Sequence, residues 1–220
     1  MDRSHYAVLA DLFAYPHAEF EEKIERVQAM LDDRFPDAAE ELRPFTDVVP
    51  KLPLHEAEEL FTRSFDVQSL TTLDAGYVLF GDDYKRGELL ANLNGEHRRA
   101  GLDCGTELGD HMPNLLRLIA KMEDQELMRE LVEEILYPAL RQMIAEFDPE
   151  RVTKRDALYR KHHKTLIETR ENDALIYGRT LKTLRCVLHH DFELKVRPTT
   201  PATHDFLRSV GSEMALERNA

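Results

Sequence analysis

The amino-acid sequence predicts an all-α protein. Apolar residues recur at helical spacing through most of the chain, and proline, aspartate and glycine punctuate those stretches where helices start or stop. No strand-like alternation of useful length occurs, and no hairpin turn signal stands between β-rich runs. A single bundle of about eight to ten helices is the architecture these stripes imply.

Taken in order, Phe20, Ile24, Val27 and Leu31 form one apolar stripe on an otherwise charged helix. Leu54, Ala57, Leu60, Phe61 and Phe65 repeat the pattern, with Pro53 just ahead of it. Leu70, Leu73, Tyr77 and Phe80 keep the spacing too, which predicts a helix over 70–80 despite the β-branched Thr71, Thr72 and Val78. Gly81 suits the position just past its end, and Asp82 or Asp83 suits the cap of the next helix. Leu115, Leu116, Ile119 and Met122 mark a helix that Asp110 is placed to cap, with Pro113 in its first turn. Leu127, Leu131, Ile135, Leu140 and Ile144 run along a long helix that Pro138 must kink or break. Asp148-Pro149-Glu150 is a restart signal, and Tyr177, Leu181, Leu184 and Leu188 complete the last stripe. The chain divides into a helical domain over 1–194 and a loop and C-terminal tail over 195–220, whose end reads as a short helix or as disorder.

Length and composition fit a soluble globular chain. There are 220 residues, 42% of them hydrophobic and 32% charged. The net charge of −13 argues against a nucleic-acid binder, which needs basic stripes, and favours a basic partner such as a cationic peptide. The opening MDRSHYAVLADLF lacks the layout of a signal peptide, and no apolar run is long enough for a membrane span. Cys104 and Cys186 lie far apart and build neither a disulfide framework nor a zinc ribbon. A reduced cytoplasmic protein is the economical expectation.

Four groupings bear on chemistry. In Phe80-Gly81-Asp82-Asp83-Tyr84-Lys85-Arg86-Gly87, one glycine is followed by two carboxylates, which repel phosphate, and no Gly-Lys-Ser/Thr follows. No further oxygen donors follow at the spacing a cation needs. His190-Asp191 is the dipeptide used by all-α metal-dependent phosphohydrolases of the HD class, with His162 or His163 and Asp205 as conceivable partners. Helix-end histidines beside a favourable dipole are the plainer reading. Cys104, between Gly101 and Gly105, has no histidine placed by sequence to activate it. Glu107, Asp110 and His111 make either an acid/base set or a capped helix entry with recognition groups on its loop.

The motifs together resemble a known family, the redox-enzyme maturation chaperones of the NarJ/TorD/DmsD superfamily, in its nitrate reductase delta-subunit branch. The resembling residues begin with Leu12-Phe13-Ala14-Tyr15-Pro16 and Glu59-Leu60-Phe61-Thr62-Arg63-Ser64-Phe65-Asp66. They continue with Tyr77-Val78-Leu79-Phe80-Gly81, Arg86-Gly87, Gly101 and Glu107-Leu108-Gly109-Asp110-His111-Met112-Pro113. The likeness covers most of residues 5–150 and fades beyond. At Gly109 the family commonly has proline.

The resemblance implies a non-enzymatic chaperone without a cofactor of its own. Its partner would be the apo catalytic subunit of a molybdenum enzyme, a nitrate reductase or a relative in the dimethyl sulfoxide reductase family. Such a chaperone binds the client's N-terminal segment, often a twin-arginine leader, in the cytoplasm until the molybdenum cofactor is inserted. A homodimer is left open; nucleic acid and stable membrane insertion are not implied. On matching positions it implicates Tyr77, Phe80, Arg86, Glu107, Asp110 and His111 in holding the peptide. Physically, Tyr77 and Phe80 sit three apart on one helical face, suited to a groove floor, and Glu107 and Asp110 would attract client arginines.

Overall fold

The computed structural model describes residues 2–67, 69–153 and 175–194. These residues are helical almost throughout and contain no strand; a lone antiparallel bridge joins Asp74 to His111. The helices in chain order are α1 Ser4–Leu9, α2 Phe20–Arg34, α3 Pro36–Thr46, α4 Leu54–Phe65, α5 Ala75–Phe80, α6 Tyr84–Arg99, α7 Met112–Lys121, α8 Gln125–Glu130, α9 Tyr137–Glu146 and α10 Tyr177–Phe192. The 3₁₀ turns Ala10–Phe13 and Val49–Lys51 fill short connections. Among the described residues no helix is long and apolar enough to cross a membrane.

The apolar stripes face one shared core. Phe20, Ile24, Val27 and Leu31 of α2 are all buried, as are Leu115, Leu116 and Ile119 of α7 and Leu181, Leu184 and Leu188 of α10. α10 packs on α3 and α9, while α1 lies on α7 and α3 folds back against α2. An aromatic nest ties α4 to the rest, with Tyr177 edge-on to Phe45, Phe61 and Phe65 at ring-centroid distances of 5.1, 5.7 and 5.2 Å.

Three local outcomes depart from the sequence expectations or refine them. Pro138 does not end its helix. α8 and α9 are joined through a π turn at Leu131–Leu136, a wider coil that carries the chain past a residue with no N–H to donate. The predicted helix over 70–80 begins only at Ala75. Upstream, the amides of Leu70 and Thr71 donate to the carbonyls of Arg63 and Ser64, capping the end of α4, and Thr72 Oγ1 accepts from the Asp74 amide. With their backbone partners taken elsewhere, these residues have no helical ladder to join. The third departure concerns Asp110, which does not cap α7: the residue at that cap position is His111, without a side-chain bond, and the Asp110 carboxylate points elsewhere. Pro113 does occupy the first turn.

Other boundaries follow their signals. Gly81 ends α5 at φ 59° and ψ −135°, a backbone conformation that favours glycine. Asp83 caps α6 by accepting from the Lys85 amide, and Asp148 accepts from the Glu150 amide at the start of the helical turn 149–153. Residues 195–220, together with His162, His163 and Asp205, lie outside the described residues.

Candidate client-binding surface

The stretch from Phe65 to Gly87 builds the site. After α4 the amides of Leu70 and Thr71 bond back to the carbonyls of Arg63 and Ser64; beyond Asp74 the chain forms the six-residue α5, reverses at Gly81 and enters α6. The loop before α7 is zipped to it: the Ala75 amide donates to the Asp110 carbonyl and the Met112 amide to the Leu73 carbonyl, at 3.0 and 2.9 Å. α5 rests against α9, the π turn and α6.

Beneath this surface lies an ion network. Arg86 Nε donates to Asp110 Oδ2 at 2.9 Å, while one Arg86 Nη lies 3.1 Å from Asp74 Oδ2 and 3.4 Å from Asp110 Oδ1. The Asp110 side chain is fully buried, Arg86 is 16% exposed and Asp74 26%. The fit is close enough to demand glycine at position 76, since a Cβ there would stand 2.6 Å from Asp110 Oδ2. Two carboxylates share one guanidinium, leaving one excess negative charge. Burial first, and the neighbouring Asp110 charge second, push the Asp74 carboxyl above its usual value.

Above the network the face is aromatic and apolar. The Arg86 guanidinium carbon sits 5.2 Å from the centroid of the Tyr77 ring, a cation–π contact that holds the ring while leaving Tyr77 42% exposed. Val78, Leu79 and Phe80 are only partly buried, and across the turn Tyr84 is 72% exposed. Leu108 stands out from the adjoining loop, 48% exposed. Asp82, Asp83, Glu88 and Glu107 are exposed and give the rim its charge.

His111 is half-buried at the junction and its Nδ1 has no hydrogen-bond partner among the described residues. Burial holds its pKa below the ordinary histidine value, although Glu107, Asp74 and Asp110 pull the other way. Asn114 organises the loop from below, donating to the carbonyls of Cys104 and Leu108. His97 donates from Nε2 to the Gly109 carbonyl at 3.1 Å.

The six residues singled out in the sequence therefore come together, in two layers. Tyr77, Phe80 and Glu107 reach the surface, His111 sits between, and Arg86 and Asp110 lie underneath. The sequence reading missed Asp74, Gly76 and Asn114. The signal for Gly76 was a glycine inside an apolar helical run; Asp74 and Asn114 become meaningful only once the two segments are seen to meet.

The other chemical candidates are placed differently. Asp191 is engaged at both oxygens: Oδ2 accepts from His5 Nε2 at 2.8 Å and from the Tyr6 hydroxyl at 2.9 Å, and Oδ1 lies 3.0 Å from His190 Nδ1. These donors hold its carboxyl down to about 2 against the opposing effect of burial. Among the described residues no group of three or more His, Cys, Asp or Glu side chains is arranged to hold a metal ion. Cys104 and Cys186 are both part-buried, and burial raises both thiols, the reverse of activation. Comparison with known proteins returns no matching family model and no matching curated protein.

Proposed function

We propose that this chain is an assembly chaperone that binds the N-terminal segment of an apo molybdenum-enzyme catalytic subunit and holds it in the cytoplasm for cofactor insertion. The carrying observation is α5. Of its six residues only Ala75 and Gly76 are buried; Tyr77 is exposed, and Val78, Leu79 and Phe80, packed in part on the core, keep part of their apolar surface outside, at the level of an acidic rim. A short helix that leaves a tyrosine ring at the surface beside part-exposed apolar neighbours is suited to hold something else. The motif resemblance names the partner: these are the segments that flank the client surface in NarJ-type chaperones. An amphipathic leader with arginines complements the face in both respects, apolar against Tyr77 and Phe80, cationic against the rim.

The role is binding rather than catalysis, so it is tested by binding. Titration calorimetry of the full chain with the N-terminal peptide of a molybdoenzyme catalytic subunit encoded beside it should give saturable one-to-one association. Tyr77→Ala should weaken it about tenfold or more, the loss expected of an aromatic anchor, without lowering the melting temperature. Well-folded protein that binds no such peptide would remove this reading.

A further inference from the structure

Resting on that reading, we infer that the charge the client meets is Asp74, and that Asp110 is a positioning residue acting through Arg86. Asp110 is fully buried and both of its oxygens face Arg86, which leaves it no route to a ligand at the surface. Asp74 differs. Its side chain is 26% exposed, Oδ2 accepts from the same Arg86 Nη that lies 3.4 Å from Asp110 Oδ1, and Oδ1 accepts no hydrogen bond among the described residues. It also sits at the entry to α5, three residues before the exposed Tyr77 ring.

The electrostatics run the same way. Arg86 neutralises one of the two carboxylates, and the remaining charge is the costly one, since burial and Asp110 both disfavour ionised Asp74. A guanidinium arriving beside Tyr77 relieves that cost, because it supplies the second positive charge the cluster lacks. The arrangement assigns the client's cationic side chain to Asp74 and its apolar side chains to Tyr77 and Phe80. Asp110, Arg86 and the bare Cα of Gly76 fix where α5 stands relative to the loop before α7.

A double-mutant cycle separates the two roles. Asp74→Asn and Asp110→Asn proteins are each titrated with the leader peptide and with the same peptide carrying glutamine for arginine. Asp74→Asn should weaken the arginine peptide about tenfold and the glutamine peptide hardly at all, a coupling of the size expected for a charge-assisted bond. Asp110→Asn should weaken both by the same factor. It should also speed amide hydrogen exchange in α5 by about tenfold while α10 is unchanged, the sign of local loosening. If Asp110→Asn does not fold, Arg86→Lys, which keeps one ionic bond, should show the same local exchange and the same lack of coupling. Coupling at Asp110 instead of Asp74, or α5 exchange that does not respond, overturns the assignment. Wild-type protein that binds neither peptide removes the client reading and Asp74's part with it, whereas the exchange result still decides whether Asp110 positions α5.

Discussion

At the scale of single residues, two polar groups, one buried and one partly buried, have opposite consequences for stability. The Tyr177 hydroxyl is fully buried in the aromatic nest with no hydrogen-bond partner among the described residues, and burial raises its pKa. An unpaired buried hydroxyl is a cost, whereas its ring contacts with Phe45, Phe61 and Phe65 are not. Tyr177→Phe keeps the ring and should stabilise the fold by about 1 kcal/mol. Urea denaturation checks it, and a loss of stability would reveal a partner for the hydroxyl. Asp191 is the reverse case. Its three donors stabilise the charged form, so its folded pKa of about 2 lies below the unfolded one. The stabilisation is therefore present above the ordinary carboxylate range and lost as pH falls towards 2, worth about 2 kcal/mol when complete. Asp191→Asn should cost about that much at pH 7, and the gap between variant and wild type should close on acidification. A gap constant with pH would mean that packing, not charge, is what Asp191 contributes. This clasp joins α1 to the end of α10, which gives the His190-Asp191 pair a structural role within the described residues.

At the scale of elements, α6 and the loop before α7 are held by a histidine that must stay neutral. His97 is 3% exposed, donates to the Gly109 carbonyl and leaves Nδ1 without a partner among the described residues, and burial lowers its pKa. A depressed folded pKa means the stability it contributes is present above about pH 6.5 and is lost as pH falls. His111, on the same loop, shifts in the same direction and reinforces the trend. Between pH 7 and pH 5 the wild type should lose stability, and His97→Gln, which retains a donor for Gly109, should flatten that slope. Melting curves across the range decide it; an unchanged slope would mean that other groups carry it. These elements also mark how far the sequence was legible. Stripes such as that of α2 or α10 announce themselves because one face is buried continuously. By contrast α3 was not read as a helix, and α6 was read only at its start, as the helix that Asp82 or Asp83 caps. α6 buries little beyond Leu89, Leu93 and His97, and Pro44 lies inside α3. The false start of α5 at Leu70 has a similar cause: apolar spacing alone does not reveal that the amides of residues 70 and 71 are claimed by α4. At the candidate site the six residues were found by motif, but their layering was hidden. Whether Asp110 faces outward or inward depends on Arg86, 24 residues earlier in the chain, and on the absence of a side chain at Gly76.

At the scale of the whole molecule, the proposed client binding gives different work to the charge of −13 and to the exposed Tyr77 on α5. Long-range attraction brings a cationic peptide towards an acidic protein, and it acts mainly on the association rate. It is screened once the Debye length falls below the size of the site, from about 10 Å at 0.1 M salt to about 3 Å at 1 M. In that proposal, desolvated contact with Tyr77 and Phe80 acts after encounter and sets how long the complex lasts. Stopped-flow kinetics with the arginine-bearing leader peptide should therefore show association slowing about tenfold between 0.05 and 0.5 M salt, with dissociation changing little. Tyr77→Ala should do the opposite, speeding dissociation and leaving association and its salt dependence as they were. Association indifferent to salt would show that the acidic surface serves solubility and not capture. A Tyr77→Ala effect confined to association would place the aromatic anchor elsewhere on the molecule.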